Sequence, residues 1–437
     1  MHNYITKEIR IGTSVVRRYF SQVEINTLPY IEPLFFIDTY FKENKTFGLN
    51  QEQLRRYCFN MMQKSFNLIL RRFFDAPDKV FASAIKAELL KYSIFREIVL
   101  HNSYRPDYEN GENGIDPAAL VINLYHELET FGANFSASAT KTDVRVGNSF
   151  RFNEFKHLGW QYSAINFLQE EFGKKLAPFV SCFLVHGSFA TKDFLKNWSD
   201  LDTLIVLNDA IFEQKENLQK VKEELIRLAP LFYKIDPLAH HQFTFLTRFD
   251  INYYPPFLFP PVLYDYGLLV FGEPKMEIHV RSDEYEKIQV MAKFVNYFRN
   301  KVINQSFSKN KYHWKNDLAS MMIWPSLLLQ AKNIYLYKKY SFEKAKEVFP
   351  LMDFTLIDRT TIIMKNWKRI NLLTYYPNRF LNFFPHIMNR KFIGLHRRFS
   401  MKARPIESAE SVKELTKEFL AFAETGLTNV LKEIFKA

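Results

Sequence analysis

From about residue 50 to residue 100 apolar residues recur at helical spacing, as in Leu54, Cys58, Met61, Met62 and Phe66, then Ile69, Leu70 and Phe73, with basic residues between. This predicts a helical amino-terminal region. Pro106, Gly111 and Gly114 interrupt the pattern over 102–116, a second loose stretch covers 132–148, and 117–131 between them reads as a short helix. The pattern then changes. Residues 164–175 read as the end of a helix, 179–185 form an apolar run of strand length closed by Gly187, and 202–207 form another run ended by Asn208 and Asp209. Ile211, Leu218, Val221, Leu225 and Leu228 mark a helix covering one face of a sheet, and Pro230 ends it. Residues 231–235 and 242–246 are expected to supply two more strands, giving strand, short helix, strand, helix, strand, strand. After Gly272-Glu273-Pro274 the pattern is helical again, most clearly over 284–299, 318–337, 342–348 and 412–435.

The expected fold is α+β: a small mixed-sheet unit at 176–274, flanked by a mostly helical amino-terminal region at 1–175 and a helical carboxy-terminal domain at 275–437. There is no internal repeat and no low-complexity tract. A chain of 437 residues is long enough for two or three cores.

Charge and cysteine content narrow the function classes. Lys and Arg number 59 against 47 Asp and Glu, a net charge of +12, which favours anionic partners such as nucleotide phosphates, nucleic acid or acidic lipid. Cys58 and Cys182 are far apart and outside any CxxC, so neither a disulfide framework nor a thiolate metal site is expected, and a cytoplasmic location fits. The first 20 residues carry Lys7, Glu8, Arg10, Arg17 and Arg18 among their apolar residues and lack a secretory core segment. The longest apolar-looking region, 255–272, holds four prolines and Asp265, so no transmembrane span is expected.

The chemistry is concentrated in Val185-His186-Gly187-Ser188 and, eleven residues on, Asp200-Leu201-Asp202. Aspartates two apart on a strand point to one face while Leu201 points to the core. Such a pair suits Mg²⁺ or Mn²⁺, which take one or two carboxylates and leave other positions for phosphate oxygens and water. Gly187 allows a sharp turn and close approach to a phosphate. Ser188 and the following amides are candidate phosphate donors, and Ser199 is a candidate to orient the Asp200 carboxylate.

At these residues the chain resembles the DNA polymerase β-like nucleotidyltransferases, whose signature is an apolar residue, Gly, Gly or Ser, about a dozen residues, then Asp-apolar-Asp. The resemblance is specific over 179–209 and extends to about 274. It implies a mixed-sheet palm, two-metal chemistry on a nucleoside triphosphate (NTP), and a helical domain behind the palm that grips base and triphosphate. It also implies a third carboxylate on a later strand, where this chain reads Phe243-Thr244-Phe245. Asp236 and Asp250 are the nearest acidic residues, and Asp236 is preferred because it ends the apolar run 231–235. His240 and His241 precede the same strand; one imidazole, with His241 as the candidate, could serve as base or replacement ligand, or simply be satisfied within a turn.

In the resembling enzymes a helical domain supplies a lysine to the triphosphate, and Lys338 and Lys339, in a cluster with Lys344 and Lys346, are the candidates; a solvated helix end is the competing reading. The patch over 390–404, with Arg390, Lys391, Arg397, Arg398, Lys402 and Arg404 around Phe392 and Phe399, could meet RNA or phospholipid, or be an ordinary charged helix face. The leading function is metal-dependent transfer of a nucleoside monophosphate from an NTP to a small molecule, a protein or an RNA end. The alternative is a degenerate nucleotide-binding or regulatory protein that keeps the palm and uses its helical ends to engage a protein partner.

Overall fold

A computed structural model of the chain describes residues 4–435 apart from 12–13, 26, 28–31, 34–48, 76–77, 101–115, 137–138, 152, 156–162, 196, 237, 239–242, 258, 282–283 and 369–408. The basic patch at 390–404 and the pair His240 and His241 lie outside the described residues.

Nine strands are described: β1 (Ile5–Ile11), β2 (Ser14–Phe20), β3 (Thr140–Arg145), β4 (Asn148–Ser149), β5 (Val180–His186), β6 (Asp202–Leu207), β7 (Phe245–Leu246), β8 (Leu268–Gly272) and β9 (Lys275–Val280). Five make a mixed sheet in the order β4-β8-β5-β6-β7, with β5 antiparallel to β6 and β8, and with β6 parallel to β7. The fold is α+β, with this sheet in the middle of a largely helical chain.

Strand β5 is central because nearly all of it is apolar, so it buries both faces. Phe183 and Val185, with Ile205 and Leu207 of β6, pack into a core shared with the helices Gln51–Asp75, Pro117–Ser136, Ser163–Glu171 and Lys215–Leu228. Full burial of each such side chain contributes about 1.5–3 kcal/mol. On the other face Cys182, Leu184, Leu204 and Val206 meet Tyr254, Tyr264 and Ile278. The helix Gln51–Asp75 starts where Asn50 accepts from the Gln53 amide at 2.9 Å and the Gln53 side chain accepts from the Asn50 amide at 3.0 Å, a reciprocal cap.

A separate core gathers the carboxy-terminal helices Glu284–Ile303, Lys311–Met321, Trp324–Ala331, Lys338–Val348, Thr355–Lys365 and Ala409–Phe435. Trp198, Leu238 and Phe257, from connections of the sheet region, insert into it. The carboxy-terminal helices therefore press on the loops that carry the candidate chemistry.

Several expectations are corrected. Residues 231–235 are not a strand: Ala229–Leu231 is a 3₁₀ turn that runs into a helical turn, Phe232–Ile235. Pro230 fixes a helical φ there, and the buried residues Leu231, Phe232 and Ile235 follow helical spacing. The place in the sheet goes instead to β8, from the proline-rich stretch, while β7 is only two residues long. The loose stretch 132–148 contains β3, paired along its length with β9, and near the amino terminus β1 pairs antiparallel with β2. The apolar run 318–337 is broken at Met322 and Ile323, because Pro325 is tolerated only in the first turn of a new helix.

Candidate active site

Strand β5 ends with His186 opposite Asp202, the first residue of β6. The chain then turns through Gly187 at φ +73°, into the helical turn Gly187–Ala190. A Cβ at Gly187 would lie 2.2 Å from Oδ2 of Asp202, so both the left-handed backbone and the close approach require glycine. Phe189 anchors the turn by stacking on Phe155, with ring centroids 4.5 Å apart.

Leu201 is buried in the large core. In extended backbone its neighbours Asp200 and Asp202 project to the opposite face, and both are partly exposed. Asp202 opens β6, and Asp200 lies two positions before it, ahead of the strand. The two serines are bonded to each other: Ser188 donates to Ser199 Oγ at 2.9 Å, and the Leu195 amide donates to the same oxygen at 3.0 Å. Ser199 thus ties the loop before Asp200 to the Gly187 turn.

Lys338 begins the helix Lys338–Val348. It is exposed to water, yet the protein around it holds its ammonium below the usual lysine range, while Asp202, Asp200 and Asp193 act against the shift. Tyr337, the preceding residue, is buried beside the Gly187 backbone and the Thr191 hydroxyl, and burial, Asp202 and Asp193 all push its phenol up. Lys339 is exposed and stands over the Tyr340 ring at 5.9 Å. Tyr266, from the sheet region, lies 4.9 Å from Tyr337 and 5.6 Å from Tyr340 between ring centroids.

Asp236 is buried and bound on both oxygens. Oδ1 accepts from the Leu238 amide at 3.0 Å, and Oδ2 pairs with the Lys315 ammonium from the helix Lys311–Met321. Burial holds its carboxyl above the usual range; Lys315 opposes this and Asp200 adds to it. Asp236 thus feels the charge of Asp200 and is committed to a lysine. Asp250 is fully buried and takes part in a capping box with Thr247 while accepting from Gln63 at 2.6 Å. Thr244 alternates with Phe243 and Phe245, which pack in the large core, so it shares the face of Asp202.

Among the described residues no three His, Cys, Asp or Glu side chains are grouped to hold a metal ion. The donor set is two carboxylates on one face beside a turn that only glycine can make. That set fits an ion that draws its remaining ligands from substrate and water, as Mg²⁺ does.

The family model of the nucleotidyltransferase domain matches residues 165–255. This chain carries a nucleotidyltransferase domain. The match agrees with the polymerase β-like resemblance of the Gly187-Ser188 and Asp200-Leu201-Asp202 motifs. No curated protein and no solved structure matches the chain. Within the nucleotidyltransferase domain lie β5, the Gly187 turn, β6 and β7, together with the helix Lys215–Leu228. Strand β8, hydrogen-bonded to β5, lies beyond the match, so the domain's sheet is completed by later chain. Lys338 and Lys315 also lie outside it, and no helix among the described residues is long and apolar enough to cross a membrane.

Sequence reasoning missed Lys315, Trp198, Tyr337 and Tyr266. Lys315 sits in a helix with no recognisable motif, and nothing in the linear pattern links it to Asp236, 79 positions earlier. Tyr337 carried a weak signal as the residue before the lysine cluster.

Proposed function

We propose that the chain is a metal-dependent nucleotidyltransferase in which Asp200 and Asp202 hold a divalent ion, Mg²⁺ or Mn²⁺, against the triphosphate of an NTP. The observation that carries this reading is that, inside the matched nucleotidyltransferase domain, the Gly187 turn packs so closely on the Asp202 carboxylate that a Cβ there would lie 2.2 Å from Oδ2. When bound, the ion would supply charge stabilisation at the phosphate oxygens. Lys338 would neutralise the triphosphate, and the glycine turn would let phosphate approach the backbone. The acceptor oxygen would form a bond to the α-phosphorus as the bond from that phosphorus to the α,β-bridging oxygen breaks. Pyrophosphate would leave with the electron pair, and the acceptor proton would pass to water in the cleft. The acceptor is a hydroxyl or phosphate of a small molecule, a protein or an RNA end.

Titration of the whole chain with non-transferable NTPs tests the nucleotide site. Binding should require Mg²⁺, weaken at least tenfold in chelator, and weaken again in Lys338→Met. Binding indifferent to both changes would overturn the reading. The second reading, a degenerate palm serving a regulatory complex, is favoured by one observation, the engagement of Asp236 by Lys315 with Thr244 at the usual strand position. In that case NTP binds and no transfer follows.

A further inference from the structure

Two cations of the carboxy-terminal helices act on aspartates of the palm. Lys338 responds to Asp202 and Asp200, whereas Asp236 responds to Asp200 and pairs directly with Lys315. Lys315 is built into its place: it is 2 % exposed, Asp236 is 4 % exposed, and the Lys315 ammonium stands 5.4 Å from the centroid of the Trp198 ring. Trp198 is itself buried, meets Trp367 edge-on at 5.1 Å, and lies two residues before Asp200. An aromatic face on one side and a carboxylate on another form a dry seat for a cation. The seat holds Asp236, the preferred candidate for the third carboxylate that the polymerase β-like resemblance implies beside a second ion, while the strand position itself carries Thr244.

We propose that Lys315 stands in for that second metal ion: its ammonium takes up the negative charge of Asp236, and the palm works with one divalent ion, held by Asp200 and Asp202. This deepens the nucleotidyltransferase reading and rests on it. The geometry supports it in two ways. Each Asp236 oxygen already has a protein donor, so a metal there would have to displace the Lys315 ammonium from a buried contact. The ammonium also comes from a helix of the carboxy-terminal core, so the substitute charge is fixed by that core rather than recruited from solvent. Lys315 is on this account a positioning residue, acting on the site through Asp236.

The test counts Mn²⁺ bound per full-length chain by electron paramagnetic resonance, with saturating non-transferable NTP. Wild type should bind one Mn²⁺, and Asp200→Asn with Asp202→Asn should abolish it. Lys315→Gln, which leaves the Asp236 carboxylate without its cation, should bind two. If Lys315→Gln fails to fold, Asp236→Asn decides: Mn²⁺ affinity should stay within about twofold of wild type, because Asp236 does not ligate the ion. Two Mn²⁺ in wild type, one in a folded Lys315→Gln, or a tenfold loss of affinity in Asp236→Asn would each overturn the proposal while leaving the nucleotidyltransferase reading intact. No Mn²⁺ in wild type, or Mn²⁺ that survives loss of Asp200 and Asp202, would overturn both.

Discussion

Lys315 and Lys338 come from the same set of carboxy-terminal helices and each acts on aspartates of the sheet region, yet they meet them in opposite ways. Lys315 is buried and in direct contact with Asp236. Lys338 is water-accessible and acts on Asp202 and Asp200 through space, with no ion pair among the described residues. A buried pair leaves an uncompensated charge when one partner is removed, so it is part of the folded structure. A lysine held near carboxylates without contacting them keeps its hydrogen-bond donors for a ligand that arrives between. Residue type is the same in both, and burial with direct contact decides the role.

Breaking the buried side should give the largest effect on folding. Lys315→Met is expected to cost about 3–5 kcal/mol of stability by denaturant unfolding, against under about 0.5 kcal/mol for Lys338→Met. Equal losses from the two substitutions would erase the distinction between them. Gly187→Ala probes the ground between the lysines. It forces alanine into a left-handed backbone, at a cost of about 1–2 kcal/mol, and drives a methyl against the Asp202 carboxylate, so ion affinity should fall together with stability. Unchanged ion binding in a folded Gly187→Ala would detach Asp202 from the ion.

The exposed side should show itself in substrate binding. Lys338→Met should raise the KM for NTP roughly 10- to 100-fold, the equivalent of ~1.5–3 kcal/mol from a hydrogen bond to a charged group. A pH profile sharpens the assignment. The folded pKa of Lys338 lies below that of an ordinary lysine, so the ammonium is present below this lowered pKa and lost as pH rises through it. In the free enzyme kcat/KM should therefore decline at a pH below that at which an ordinary lysine titrates, and Lys338→Arg should move the decline upward. A profile unaltered in Lys338→Arg would assign the decline to another group.

The sequence made the centre of this site readable because the apolar runs of β5 and β6 and the Gly187, Asp200 and Asp202 positions are all local signals. Patterns of period two and of tight turns need no partner to be recognised. What escaped reading lacks so plain a local signal. The β1–β2 pair and the β3–β9 ribbon carry many charged residues and lack a strong apolar alternation, so pairing rather than composition defines them. Residues 231–235 mimic a strand by apolar content, and only Pro230 and the spacing of their buried side chains reveal a helical turn. Asp236 stood out as an acidic residue after an apolar run, but its engagement by Lys315 is a tertiary fact.

Incorporation of label from α-³²P NTPs into cell-extract acceptors, with Mg²⁺ or Mn²⁺, measures whether Asp200 and Asp202 serve nucleotidyl transfer. Wild type should transfer label, and the Asp200→Ala, Asp202→Ala double variant should lose at least about 10³-fold, since metal-borne charge stabilisation is worth several kcal/mol. No transfer by wild type, or transfer that survives in the double variant, would contradict the account.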